Sequence, residues 1–258
     1  MKNIAIIAGG NSSEYEVSMK SGKNIYDEVD ETRYNKYLVV LKERDWHVEI
    51  GEEKYPVDKN DFSFTRNGEK ILFDFAYITI HGVPGENGLL QGYLDMMGVP
   101  YGCCNVLASA LTFDKHTCNT YLKSYGVNVA DSVMLIRGMA YDVNEIINEV
   151  GLPCFVKPNA EGSSFGVTKV KEAAQLEDAL KKAFALCREV LIETFIDGTE
   201  LTCGVVKAGD MDITMPIAEV VPKNEFFDFE AKYDPTKSDE IIPARISPEL
   251  TNRIKTLS

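Results

Sequence analysis

Twice in its first hundred residues the chain runs through a short apolar stretch, a glycine-rich loop and a helix-length segment, in that order. Ile4–Ala8 leads into Gly9-Gly10-Asn11-Ser12-Ser13 and a helical pattern reaching about Val29. Phe75–Ile80 leads into His81-Gly82-Val83-Pro84-Gly85-Glu86-Asn87-Gly88 and a helical pattern from about Leu89 to Met97. Apolar runs this short, closed by glycine, read as strands buried on both faces. A strand–loop–helix unit that repeats satisfies both faces as a parallel, doubly wound sheet, so the fold class is α/β. Ligands of such sheets gather at the carboxyl ends of the strands, where both glycine loops fall. Tyr37–Leu41 is a second strand, and Trp46–Ile50 alternates like a hairpin arm.

A second lobe is expected from Asn105. It holds a helical pattern through Phe113 to Leu122, a helix at Val143–Val150 and a strand at Cys154–Lys157. The polar loop Asn159–Gly166, a returning strand at Val167–Val170 and an amphipathic helix over Glu172–Arg188 follow. A third segment begins around Val190–Ile196, with strands at Leu201–Val206 and Ile213–Val221 and a polar, aromatic loop from Lys223 to Glu240. The expected lobes are therefore 1–104, 105–192 and 193–258. Near the end, Ser247-Pro248-Glu249 combines a capping hydroxyl, a first-turn proline and a carboxylate at the positive end of the helix dipole. Leu250, Ile254 and Leu257 then form an apolar face of barely three turns, which reads as a helix cut in its course and a last lobe left incomplete.

Charge narrows the partners. The 258 residues carry a net charge of −13, which disfavours nucleic acid or an anionic membrane. The apolar run at Ile4–Ala8 is too short for an export signal, and no stretch approaches the roughly 18 apolar residues of a membrane helix. The six cysteines form no CxxC pair and are read as reduced thiols of a cytoplasmic protein. A triphosphate entering so acidic a chain needs lysines, backbone N–H groups and metal ions near it.

One motif could supply part of that. Gly162-Ser163-Ser164-Phe165-Gly166 fits the GxSxG pattern of serine hydrolases, but that chemistry needs a strand–turn–helix setting and a downstream histidine. His47, His81 and His116 all lie upstream. The loop makes better sense as a phosphate cover, its small residues admitting backbone N–H groups to phosphate oxygens while Ser163 and Ser164 add donors. Lys157, at the end of the CFVK strand, can bring a cation to the same place. GxxxxGK[ST] and GxGxxG are absent, which leaves a two-stranded flap closing over a nucleotide.

Six segments, taken in order, carry a specific resemblance: AGGNSSEYEVS (8–18), HGVPGENGLLQG (81–92), FDK (113–115), VKPNAEGSSFGV (156–167), VLIETFIDGTELT (190–202) and FFDFEAKY (226–233). Together they resemble the D-alanine–D-alanine ligases of the ATP-grasp class, over nearly the whole chain. The resemblance implies an N-terminal doubly wound lobe followed by two α+β lobes that hold ATP between them, two D-alanines as substrates and a homodimer. Carried over by position, Glu14 contacts the first D-alanine's ammonium and forms a hydrogen-bonded set with Ser163 and Tyr233, with His81 near the reacting carboxylate. Lys115, Lys157 and Lys232 would hold phosphates, with Ser164 in the covering loop. Glu193 and the backbone of Ile196 would read the adenine edge, and Glu200 the ribose.

The implied reaction is attack of a D-alanine carboxylate on the γ-phosphate, then displacement of phosphate from the acyl phosphate by the second amine. Water hydrolyses such an intermediate, so a closing lid is required, and the Lys223–Glu240 loop with Phe226, Phe227, Phe229 and the Lys232-Tyr233 pair is the expected one. That pair favours D-alanine as acceptor. The family's Mg2+ ligands are expected beyond Ser258, no residue here is assigned to metal, and a chain ending there is expected to be deficient in turnover. A ligase with another acceptor such as D-lactate, a non-catalytic nucleotide-binding remnant and the serine hydrolase remain as alternatives.

Overall fold

The structure is a computed structural model that describes residues 1–223, 232, 234 and 236–258. Tyr233, Phe226, Phe227 and Phe229 therefore lie outside the described residues. The chain divides into two compact units, Met1–Val129 with Asn159–Gly162, and Ala130–Pro158 with Ser163–Ser258.

The first unit is built on a seven-stranded sheet in the order β6-β5-β4-β3-β2-β1-β7. Its parallel part is β1 (Lys2–Gly9) between β2 (Tyr34–Lys42) and β7 (Phe75–Ile78). The unbroken apolar run of β1 serves both faces at once. Ala5 and Ile7 enter the larger core cluster, while Ile6 and Ala8 pack toward Tyr15, Met19 and Ile25 of α1 (Tyr15–Glu28). From β2 onward the sheet continues as an antiparallel meander: β3 (Asp45–Ile50), β4 (Glu53–Asp58), β5 (Ser63–Arg66) and β6 (Glu69–Leu72). The last three strands are absent from the sequence reading, which left 51–74 unassigned. They are short, polar on alternate residues and rich in charge, so their apolar signal is weak. One local sign was present. Asn67-Gly68, both at positive φ (52° and 80°), forms the tight turn that joins β5 to β6.

Helix α2 (Leu89–Met97) has the expected bounds, closed by Gly98 in the left-handed conformation. The helix expected through Phe113 to Leu122 is two helices, α3 (Val106–Phe113) and α4 (Lys115–Ser124). Asp114 separates them: its backbone is extended, and its carboxylate accepts from the Thr117 N–H at 2.8 Å. A short acidic side chain gains more as a cap than as an interior helical residue.

The second unit begins with a four-stranded antiparallel sheet in the order β10-β9-β11-β8. Its strands are β8 (Ser132–Ile136), β9 (Cys154–Pro158), β10 (Thr168–Val170) and β11 (Glu189–Thr194). Helices α5 (Val143–Val150) and α6 (Leu176–Leu186) cover one face, enclosing Val156, Val190 and Ile192. The expected Glu172–Arg188 helix starts as a 3₁₀ turn (Ala173–Gln175) held by a capping box between Glu172 and Gln175. Strand β11 runs between β8 and β9 and crosses position 192/193, so Val190–Thr194 completes this sheet instead of opening a new segment.

Beyond it, β12 (Glu200–Thr202), β15 (Ala218–Pro222) and β16 (Ser238–Ile241) form a three-stranded sheet, and β13 (Val205–Ala208) pairs with β14 (Met211–Thr214). The two long strands expected here are each broken in two, and β16 arises at the end of what was expected to be loop. A final helix, α7 (Pro248–Leu257), starts as expected, with Ser247 Oγ accepting from Leu250 N–H at 3.2 Å.

Candidate functional site

In the first unit, the loops after β1 and β7 are stitched together by short hydrogen bonds. Ser18 Oγ accepts from Gly9 N–H and donates to Thr79 O, both at 2.9 Å. Asn11 N–H donates to Val83 O at 2.8 Å, and Ser12 Oγ to His81 O at 2.7 Å. Gly9 and Gly10 turn the first loop at φ of 97° and 100°, angles an L side chain rarely adopts.

Glu14 sits at the entry to α1, 5% exposed, and its side chain makes no capping bond to that helix. Its Oε1 lies 3.9 Å from His81 Nδ1, and the other ring nitrogen of His81 lies 3.5 Å from Ser21 Oγ. Gly162 comes so close that a methyl group there would stand 2.5 Å from Glu14 Oε2. The carboxylate thus occupies space that any other residue at 162 would claim.

The Asn159–Gly162 segment is fastened to the start of α4. Asn159 is fully buried, accepting from His116 N–H at 2.9 Å and donating from Nδ2 to Asp114 Oδ2 at 2.8 Å. Lys115 Nζ donates to Glu161 O at 2.5 Å and to Asn159 O at 3.3 Å. Burial raises the Glu161 carboxyl above its usual range and Glu14 adds to this, while Lys115 opposes it. Asn159 and Glu161 lay inside a quoted motif but were given no role. A polar residue directly after a strand-ending proline was the available sign.

In the second unit, alternation along β9 and β11 sends Val156 and Ile192 toward the helices and leaves Phe155, Lys157 and Glu193 on the opposite face. There Lys157 and Glu193 form a partly buried ion pair. The loop that follows holds Ser163, Ser164 and Gly166 at φ of 49°, 58° and 74°. Ser164 lies in a loop between two strands, β9 and β10, so the strand–turn–helix setting of the hydrolase pattern is not met.

A cleft of about 520 Å³ opens in this unit, with Phe155, Ile196 and Glu200 in its walls. Phe195 joins it, packed edge-on to Phe155 with ring centres 5.8 Å apart and with Lys169 Nζ 3.7 Å over its ring. Burial raises the Glu200 carboxyl, with Lys232 pulling the other way. Two lining residues escaped the sequence reading. Buried Glu219 accepts from Arg245 through Nε (3.0 Å), Nη2 (2.6 Å) and the backbone N–H (3.0 Å), and this set holds its carboxyl down to about 2. The two are 26 positions apart, beyond any local pattern.

Among the described residues, no group of three or more His, Cys, Asp or Glu could hold a metal ion. Among them, too, no helix is long and apolar enough to cross a membrane.

The family model for the D-ala D-ala ligase N-terminus matches residues 3–104, and that for the D-ala D-ala ligase C-terminus matches 121–258. A D-alanine–D-alanine ligase of Bacteroides fragilis (strain YCH46) is 54% identical over 258 residues, covering 100% of this chain and 79% of the relative. One from Porphyromonas gingivalis is 49% identical, covering 99% and 78%. Among solved structures, a D-Ala:D-Ser ligase from Enterococcus faecalis superposes with a TM-score of 0.82 at 31% identity, covering 99% of this chain and 80% of that one. A D-alanine–D-alanine ligase from Bacillus anthracis gives 0.78 at 30%, covering 100% and 76%.

Proposed function

The chain belongs to the D-alanine–D-alanine ligase family, and from that premise we propose that it joins two D-alanines at the expense of ATP, for peptidoglycan precursor synthesis in the cytoplasm. The first D-alanine is activated as an acyl phosphate, and the amine of the second displaces phosphate from it. The observation that carries this reading is Glu14, a carboxylate 5% exposed at a strand-end loop whose side chain does not cap its own helix. A buried carboxylate beside His81 at a strand-end loop is suited to a substrate ammonium, and Gly162 leaves that position clear.

The remaining roles follow the same logic. His81, 3.9 Å from Glu14, faces the reacting carboxylate, and Ser163 and Tyr233 hydrogen-bond at the amino-acid site. Lys115, Lys157 and Lys232 neutralise phosphates, with Ser164 donating from the covering loop. Ile196 and Glu200 take the base and ribose in the 520 Å³ cleft, where Phe155 and Phe195 offer aromatic surface. Glu193 reads the adenine edge, and its ion pair with Lys157 holds both side chains on the open face until a nucleotide arrives. Magnesium accompanies the triphosphate in this family, and the described residues hold no group of three or more His, Cys, Asp or Glu to cage it. A homodimeric state completes the proposal.

Phosphate release from Mg-ATP tests it, measured with D-alanine, with L-alanine and with no amino acid. The D-isomer alone should support release. Glu14→Gln should lower kcat/KM for D-alanine by about 10- to 100-fold, the equivalent of one charge-assisted hydrogen bond. An unchanged value in that variant would remove Glu14 from the amino-acid site.

A further inference from the structure

A second cleft, of about 320 Å³, lies wholly within the first unit, walled by α2, α3 and the link between them. The ligase reading uses none of its chemistry. Two adjacent thiols, Cys103 and Cys104, are both exposed and both line it. Behind them stands Gln91, 1% exposed. Its amide Nε2 donates to Gly85 O at 2.5 Å and to Cys103 Sγ at 3.4 Å, which leaves Oε1 buried with no donor among the described residues. Ser109 Oγ and the Cys103 thiol both donate to Cys104 O, at 3.2 and 3.3 Å, holding the link in place.

Three ligands suit a pair of thiols, and two of them fail here. Zinc needs four donors, and the described residues offer no group of even three. A disulfide between neighbours must close across α-carbons about 3.8 Å apart, short of the usual span of about 4.4–6.8 Å. Trivalent arsenic needs only two sulfurs and keeps a third substituent. We propose that Cys103 and Cys104 form a dithiol site that chelates trivalent arsenicals, with arsenous acid as the smallest member.

The step balances without any redox partner. Two S–H bonds and two As–O bonds break, two S–As bonds form, and the protons leave with the arsenic hydroxyls as two waters. Arsenic and sulfur keep their oxidation states. Cys103 is exposed as a residue, but desolvation by the protein around it still raises the thiol, so it enters as the neutral S–H that this condensation consumes. The one hydroxyl left on arsenic is a donor, and Gln91 Oε1 is the acceptor that lacks one.

Thiol titration of the folded chain tests this, before and after one equivalent of arsenous acid or phenylarsine oxide. Either reagent should withdraw two thiols per chain. Cys103→Ser and Cys104→Ser should each weaken binding at least about 100-fold through loss of the second sulfur at high effective concentration. No loss of titratable thiol, or undiminished binding in either serine variant, would overturn the site. Gln91→Leu should weaken arsenous acid and spare phenylarsine oxide, which keeps no hydroxyl once chelated. Equal weakening of both would overturn the role given to Gln91.

Discussion

The seven-stranded sheet and the strands after position 200 are both β-structure, yet they are held by different forces. In the first, Phe62, Phe64 and Phe73 are buried and in ring contact with one another and with Tyr37, Tyr55 and Tyr93, at centroid distances of 5.1–6.0 Å. In the second, β13 is exposed along its length and β14 nearly so. The chain after β16 is joined to β15 by the Glu219–Arg245 pair, with Arg245 Nη2 at 2.6 Å from the carboxylate, and to the residue just before that strand by a bond from Ala244 N–H to Ile217 O at 2.9 Å. Apolar burial stabilises in proportion to area and needs no exact partner, whereas an ion pair depends on its protonation state.

The contrast can be broken or sharpened in three ways, in falling order of effect. Phe64→Ala should cost about 3–5 kcal/mol by urea denaturation, since it removes a ring 1% exposed from a packed cluster. Val206→Ala, on exposed β13, should change stability by no more than about 0.5 kcal/mol. Similar losses for the two would erase the distinction.

Next comes Asn159→Ala, which leaves the His116 N–H and one oxygen of Asp114 without their bonds. It should cost about 1–3 kcal/mol and raise KM for ATP through misplacement of the segment that Lys115 holds. A stability loss with unchanged KM would detach that segment from the nucleotide.

The smallest effect concerns pH. The Glu219 carboxyl titrates at about 2 when folded, against 4.5 for a free glutamate, so the unfolded chain takes up its proton first on acidification. Its contribution is complete above about pH 4.5 and lost on the way down to about 2. Glu219→Gln should flatten the acid limb of a stability–pH curve in that window. An identical limb would show that the pair contributes nothing to it, as is common for partners as exposed as Arg245.

Elements that bury both faces or repeat a strong period were legible in the sequence. β1 announced itself by five consecutive apolar residues, Ile4–Ala8, and α2 by the glycine loop that ends at Gly88 just before it. Strands β4 to β6 were not, because about half their residues face water and each is too short for its apolar alternation to stand out. The continuous helix expected across Asp114 failed for a different reason: a single capping carboxylate outweighed the apolar period on either side. At the candidate site, motif order marked Glu14, Lys115 and Lys157. It could not reveal that Lys157 spends its charge on Glu193, or that Glu161 is lifted by burial. Those depend on which strands become neighbours and how deeply a loop is set, quantities that arise only once the chain has closed on itself.

The seven-stranded sheet is open at both ends, and an open edge offers unpaired N–H and C=O groups to any other strand. The two edges are guarded differently. β7 is covered by its own chain, with Ala76 N–H donating to Pro100 O at 2.8 Å and Gly102 N–H to Ala76 O at 3.0 Å. β6 has no strand beyond it among the described residues, but is only four residues long and carries exposed Glu69 and Lys70. Brevity and charge there, and a borrowed segment of backbone opposite, keep the sheet from recruiting copies of itself, so its growth stops at seven strands within one molecule.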